Sequence, residues 1–125
     1  MRVEVFPFLL AVVLLALVPS AAAAPDVSAR GEIAGLMQAL SSSGCQFQRN
    51  GSWHDAQEAR THLQRKYDYL LKKGKVDTAE QFIQRAATRS SMSGTAYRVK
   101  CTGVEQDSAS WFDAQLQRIR NRPAR

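Results

Sequence analysis

Closely spaced cysteines are missing from this sequence, and with them any zinc-finger spacing; Cys45 and Cys101 are its only cysteines. There is no aromatic-rich basic β pattern and no recognition-helix signature, so the net charge of +6 has no nucleic-acid motif behind it. None of Ser90, Ser91 and Ser93 follows a glycine at the spacing of a nucleophile elbow. Neither histidine adjoins a glutamate as in the metal-binding helix of zinc proteases. Internal repeats and low-complexity tracts are absent beyond the N-terminal segment. These gaps argue against a nucleic-acid module and leave an enzyme without a recognisable motif.

Long hydrophobic runs are also scarce, with one exception. Phe6 to Val18 is an almost unbroken apolar stretch of 13 residues, preceded by Arg2 and closed by Pro19 and Ser20. A membrane-spanning helix needs about 20 such residues, whereas a signal-peptide core is shorter. Ala21-Ala22-Ala23 satisfies the small-x-small rule, which places cleavage near Ala23–Ala24. Residues 1–23 are therefore expected to be a signal peptide and residues 24–125 a single small domain, with no membrane span left after cleavage. No cysteine follows the apolar run closely, which argues against a lipid anchor. Loss of Arg2 and Glu4 leaves the net charge at +6. In an exported protein that charge points to acidic envelope proteins or anionic envelope polymers, not to nucleic acid.

Export also decides the cysteines. An oxidising compartment favours a disulfide between Cys45 and Cys101 over a reactive thiol or a metal-ligand pair. The local pattern agrees. Cys45 and Phe47 alternate with Gln46 and Gln48, and Tyr97, Val99 and Cys101 alternate with Arg98 and Lys100. Two short strands with their cysteines on the core face follow from that period of two.

Helical patterns fill the rest. Ile33, Leu36, Met37 and Leu40 form an i, i+3, i+4, i+7 stripe after a cap at Asp26 or Ser28. The segment Arg49 to Lys75 reads as a strand end, a turn at Gly51, and a long helix capped by Ser52 and ended at Gly74. Ala56, Ala59, Leu63, Tyr67 and Leu70 are its buried stripe, and Arg60, Arg65, Lys66, Lys72 and Lys73 load its other faces. A third helix starts at Asp77 or Thr78 and buries Ala79, Phe82, Ile83 and Ala86. Gly103 to Gln106 reads as a loop, and a last helix runs from Ser110 through Trp111, Phe112, Leu116 and Ile119 to Pro123. The expected fold is α+β in the order α-β-α-α-β-α, two short antiparallel strands packed by four helices.

His54, Glu58 and His62 stand at i, i+4 and i+8, a spacing able to present a zinc site on one helix stripe. The plainer reading has His62 half-buried and hydrogen-bonded into the fold, with His54 and Glu58 solvated. No metal and no cofactor are expected. The serines around Ser91 are better read as ending a helix and its turn than as nucleophiles.

Four blocks carry a wider resemblance: R-N-G at 49–51, A-x-x-A-x-x-H-L-x-x-K at 56–66, D-T-A-E-x-F-I at 77–83 and S-S-x-S-G-x-x-Y at 90–97. The chain resembles the YfeK-like family of small exported bacterial proteins of unknown function, from about Ile33 to Ile119. That resemblance implies a periplasmic location and marks positions 49–51, 62, 80, 91, 94 and 97 as motif residues; it brings no activity or ligand. Arg49, Asn50, His62, Glu80, Ser91 and Tyr97 are accordingly the candidate binding residues, expected in one polar cluster. The expected function is a non-enzymatic periplasmic binding domain with a basic surface. The alternative is a small hydrolase or metal-dependent enzyme using His62 with His54 or a nearby serine.

Overall fold

A computed structural model describes residue 13 and residues 25–123. The apolar run, apart from Val13, and the expected cleavage position lie outside the described residues.

Helix α1, Val27–Ser42, is capped by Asp26, whose carboxylate accepts from the Ala29 amide at 2.7 Å. Its stripe of Ile33, Leu36, Met37 and Leu40 is buried. Strand β1, Gln46–Arg49, then turns at Asn50-Gly51 into β2, Ser52–His54. Both turn residues have positive φ, 49° and 81°, the left-handed pair that a tight two-residue hairpin requires. The long helix α2, Ala56–Lys72, follows with Asp55 as its cap, accepting from the Glu58 amide at 2.8 Å. Helix α3, Ala79–Phe82, is capped by Thr78 and runs into one wider turn of π-helix, Ile83–Ala87. Strands β3, Arg98–Cys101, and β4, Val104–Asp107, form a second hairpin, and α4, Ser108–Arg120, closes the fold.

The class is α+β; the described residues form four α-helices, and their strands number four where two were expected. The sheet order is β2-β1-β3-β4, antiparallel throughout. Ser52 does not cap α2 but pairs with Arg49, because Asn50-Gly51 folds the chain back along β1 before the helix can start. Thr102-Gly103, with φ of 49° and 82°, does the same after β3 and converts the expected loop 103–106 into β4. Helix α4 begins at Ser108 directly after that strand.

The register puts Phe47, Val99 and Gln106 side by side on the face toward the helices. Phe47 meets Trp111 edge-on at 5.4 Å, and Phe112 sits between Trp111 at 4.9 Å and Phe82 at 6.4 Å. Helix α1 crosses α4 closely enough that a Cβ at Gly35 would stand 3.0 Å from Ile119 Cδ1. Arg120 near the end of α4 binds Glu32 of α1 at 2.7 Å and also pairs with Glu80 of α3, tying three helices at one end. Cys45 and Cys101 form a disulfide with their Cα atoms 4.5 Å apart. Among the described residues no helix is long and apolar enough to cross a membrane.

Candidate functional site

Four side chains converge where β1, α2 and the approach to β3 meet. Arg49 stands at the end of β1 on its helix-facing side, two residues beyond Phe47. Its guanidinium lies 2.7 Å from His62 Nδ1. His62 Nε2 lies 3.1 Å from the Tyr97 hydroxyl, and Lys66 Nζ donates to the same hydroxyl at 3.1 Å and to the Arg89 carbonyl at 3.0 Å. His62 and Lys66 are four residues apart on α2, so one helix face delivers both. Tyr97 is buried and its amide is fixed by the Thr88 carbonyl.

Donor chemistry settles the histidine. A guanidinium has no lone pair to offer, so Nδ1 must accept and the imidazole is neutral with its proton on Nε2. That proton goes to the Tyr97 oxygen. Burial lowers the His62 pKa to about 4, reinforced by Arg49, Lys66 and Arg65. Burial and then Arg49 bring Lys66 down to about 8. Burial raises the Tyr97 phenol, against the pull of Arg49. At neutral pH the cluster is a neutral imidazole and a neutral phenol held between two cations.

The cluster adjoins a cavity of about 410 Å³ whose inner wall includes Phe47, Leu63 and Phe112. Arg49, His62, Arg65 and Tyr97 line it too, as do His54 and Glu58. His54 Nδ1 and the Glu58 carboxylate are 2.8 Å apart. Among the described residues no carboxylate lies within ion-pair distance of Arg49, Arg65 or Lys66. Tyr97 accepts two hydrogen bonds, and its own proton has no acceptor among the described residues. The wall therefore offers spare donors and positive charge beside an apolar floor.

Of the six candidate residues, Arg49, His62 and Tyr97 come together. Asn50 stands at the hairpin turn and accepts from Ser93 Oγ at 2.7 Å, joining that turn to the serine loop. Ser91 lies on that loop, exposed, and lines a separate groove. Glu80 sits at the start of α3, where its own backbone amide and then Arg120 hold its carboxyl below the usual range. Lys66 and Arg65 were not among the candidates. The position of Lys66, one helical turn beyond His62, was the available signal for it.

The stripe of His54, Glu58 and His62 that a zinc site would need is not presented by one helix. His54 belongs to β2, and His62 is turned toward Arg49 and Tyr97. Among the described residues no group of three or more His, Cys, Asp or Glu is gathered closely enough to hold a metal ion. For a hydrolase, His62 has the reverse of the required tautomer. A general base keeps its proton on the nitrogen facing the orienting group and leaves the other free; here the orienting group is a donor.

This chain belongs to the family of unknown function DUF5329, whose model matches residues 27–120. It is 43% identical over 51 residues to the uncharacterized protein YfeK of Salmonella typhimurium. That match covers 41% of this chain and 41% of the relative, so the two are compared over less than half of either. No solved structure matches the chain.

Proposed function

We propose that this is an exported, periplasmic, non-enzymatic binding domain, made of residues 24–125 after removal of a signal peptide at residues 1–23, and that its cavity receives a carboxylate carried on a short apolar body. One observation carries the reading: the spare donors of Arg49 and Tyr97 face a cavity with apolar walls and, among the described residues, have no carboxylate partner. Arg49 gives one N–H to His62, and a guanidinium carries five donors in a planar fork that matches a carboxylate. A volume of about 410 Å³ falls within the range of small-ligand sites. Phe47, Leu63 and Phe112 would cover the apolar part of such a ligand.

Charge narrows the ligand. Arg49 and Arg65 line the cavity together with one acid, Glu58, a formal balance of +1. That balance fits a monoanion better than a phosphate dianion. The carboxylate can be free or displayed by an anionic envelope polymer or an acidic envelope protein, in keeping with the basic composition.

Calorimetry with octanoate, octanol and octylammonium tests the reading. Octanoate should bind, octanol should bind at least tenfold more weakly, and octylammonium should not bind. Arg49→Gln should remove the preference for octanoate. Octanol binding as tightly as octanoate would sink the carboxylate assignment, and unchanged octanoate affinity in Arg49→Gln would move the site elsewhere.

A further inference from the structure

A second recess, independent of the His62 cavity, opens at the end of α2. It is an open groove of about 690 Å³ lined by Leu70, Lys75, Arg85, Arg89, Ser90 and Ser91, among others. Three cations and two hydroxyls face it, and no carboxylate lines it. Neither nearby acid lines the groove: Asp68 is hydrogen-bonded to Gln64 on α2, and the Asp77 Oδ1 is buried without a hydrogen-bond partner. Lys72 and Lys73, exposed in the last turn of α2 and at its cap, add two further cations at this end.

The groove is rigidly built. Arg85 donates to the Lys75 carbonyl, which fixes the turn after α2. Lys66 holds the Arg89 carbonyl, Arg89 pairs with Ala96 in an antiparallel bridge, and the Ser90 amide donates to the Thr95 carbonyl at 2.9 Å. Between those ties the chain makes a closed loop, with the Gly94 amide donating to the Ser90 carbonyl at 2.9 Å. The loop carries Met92 at its tip, 98% exposed, flanked by serines. On α2, Tyr69 is 57% exposed, with the Lys73 ammonium 5.8 Å from its ring.

A single exposed apolar residue is ordinary on any surface. Here an unbranched apolar chain is held out by a pinned loop beside five cations, and an exposed tyrosine stands at the same end of α2. We propose that this end of the molecule docks on an anionic phospholipid surface, the groove taking a headgroup phosphate while Met92 and Tyr69 enter the interfacial layer. Charge complementarity favours phosphate. The exposed Met92 favours a bilayer over a free phosphate compound, because a soluble anion has no use for an apolar tip. Tyrosine rings settle at headgroup level, with the ring in the apolar layer and the hydroxyl in water. Each cation brought near an anionic bilayer strengthens binding by about fivefold at low salt.

Cosedimentation of the exported protein with vesicles tests this, using phosphatidylcholine alone and an equal mixture of phosphatidylcholine and phosphatidylglycerol. The neutral vesicles read out any charge-independent adsorption, so the result is the difference between the two. Binding should require phosphatidylglycerol and weaken steeply with salt. Arg85→Glu with Arg89→Glu should reduce it more than tenfold, and Met92→Ser should reduce it severalfold. Lys100→Gln, on the sheet face away from the helices, should leave it nearly unchanged. Should the double variant fail to fold, Arg89→Gln and Met92→Ser decide by the same readout. Equal binding to both vesicles, or equal loss in Lys100→Gln, overturns the proposal. Retention of vesicle binding in Met92→Ser together with displacement by inorganic phosphate would make this a soluble-phosphate site instead.

Discussion

His62 is held by a donor on one side and an acceptor on the other, and that asymmetry has a pH consequence. Its folded pKa of about 4 lies below the ordinary 6.5. Between those values the unfolded chain takes up a proton that the native state refuses. Stability contributed by the neutral imidazole is therefore complete above about pH 6.5 and is lost as the pH falls toward 4. The upper part of this window lies above the carboxylate range, so thermal melts between pH 6.5 and 5 should report mainly His62. The melting temperature should fall across that interval, and His62→Gln should flatten the fall. The ring nitrogens give a second check: NMR at neutral pH should show the proton on Nε2, and a titration midpoint near 6.5 would mean the Arg49 bond does not form in solution. Tyr97→Phe should cost about 1–3 kcal/mol, because it removes the common acceptor of His62 and Lys66. Arg49, His62 and Tyr97 were legible as motif residues because their spacing forms blocks that the family resemblance marks. Lys66 was not separated from the other basic residues of α2. Nothing in a run of cations says which one the fold bends inward, and here the choice is made by the Arg89 carbonyl and the Tyr97 hydroxyl, both supplied from more than twenty residues away.

The helices were legible because each carries a buried stripe at helical period, and α2 shows why such a stripe matters. Leu63 is buried mid-stripe beside the His62 cavity, whereas Lys72 is exposed in the last turn. Leu63→Ala should lower stability by roughly 2–5 kcal/mol and Lys72→Ala by a few tenths, read by denaturant midpoints. Equal shifts would mean that α2 faces the core with another side. The hairpins were harder to read. Strand β2 is only three residues long and has no buried position, and β4 is exposed at Val104, Glu105 and Asp107, so neither shows an inside-outside alternation. Their evidence lies in the turn chemistry of Asn50-Gly51 and Thr102-Gly103, and at the first of these it competed with the reading of Ser52 as a helix cap. Gly51→Ala isolates that chemistry. A Cβ there meets nothing within 4 Å, so the whole cost comes from a φ of 81°. The expected loss is roughly 1–2 kcal/mol. A neutral or stabilising Gly51→Ala would show that the hairpin does not hold its left-handed turn.

At the scale of the whole molecule the Cys45–Cys101 bond joins the segment just before β1 to the end of β3. It spans a separation of 56 residues and closes off both hairpin strands of the first arm, α2, α3 and the serine loop, while α1 and α4 lie outside it. The enclosed segment contains every residue of the His62 cluster and of the second groove. In the chain-entropy picture, closing a loop of this length restricts the unfolded ensemble by roughly 4 kcal/mol, less any native strain. The two strands it clamps are four residues each, too short to be stable as an isolated pair. Cys45→Ser and Cys101→Ser should therefore each cost roughly 2–5 kcal/mol, a large share of the stability of a small domain. Each should lower the melting temperature by roughly 10–25 °C. Because both substitutions delete one and the same bond, the double variant should be no worse than either single, which separates a lost cross-link from two independent packing defects. Protein taken from an oxidising compartment should show no free thiol, and reductant should move its melting temperature to that of the double variant. Two free thiols in that protein, or additive losses in the double variant, would mean that the strands are held by packing alone.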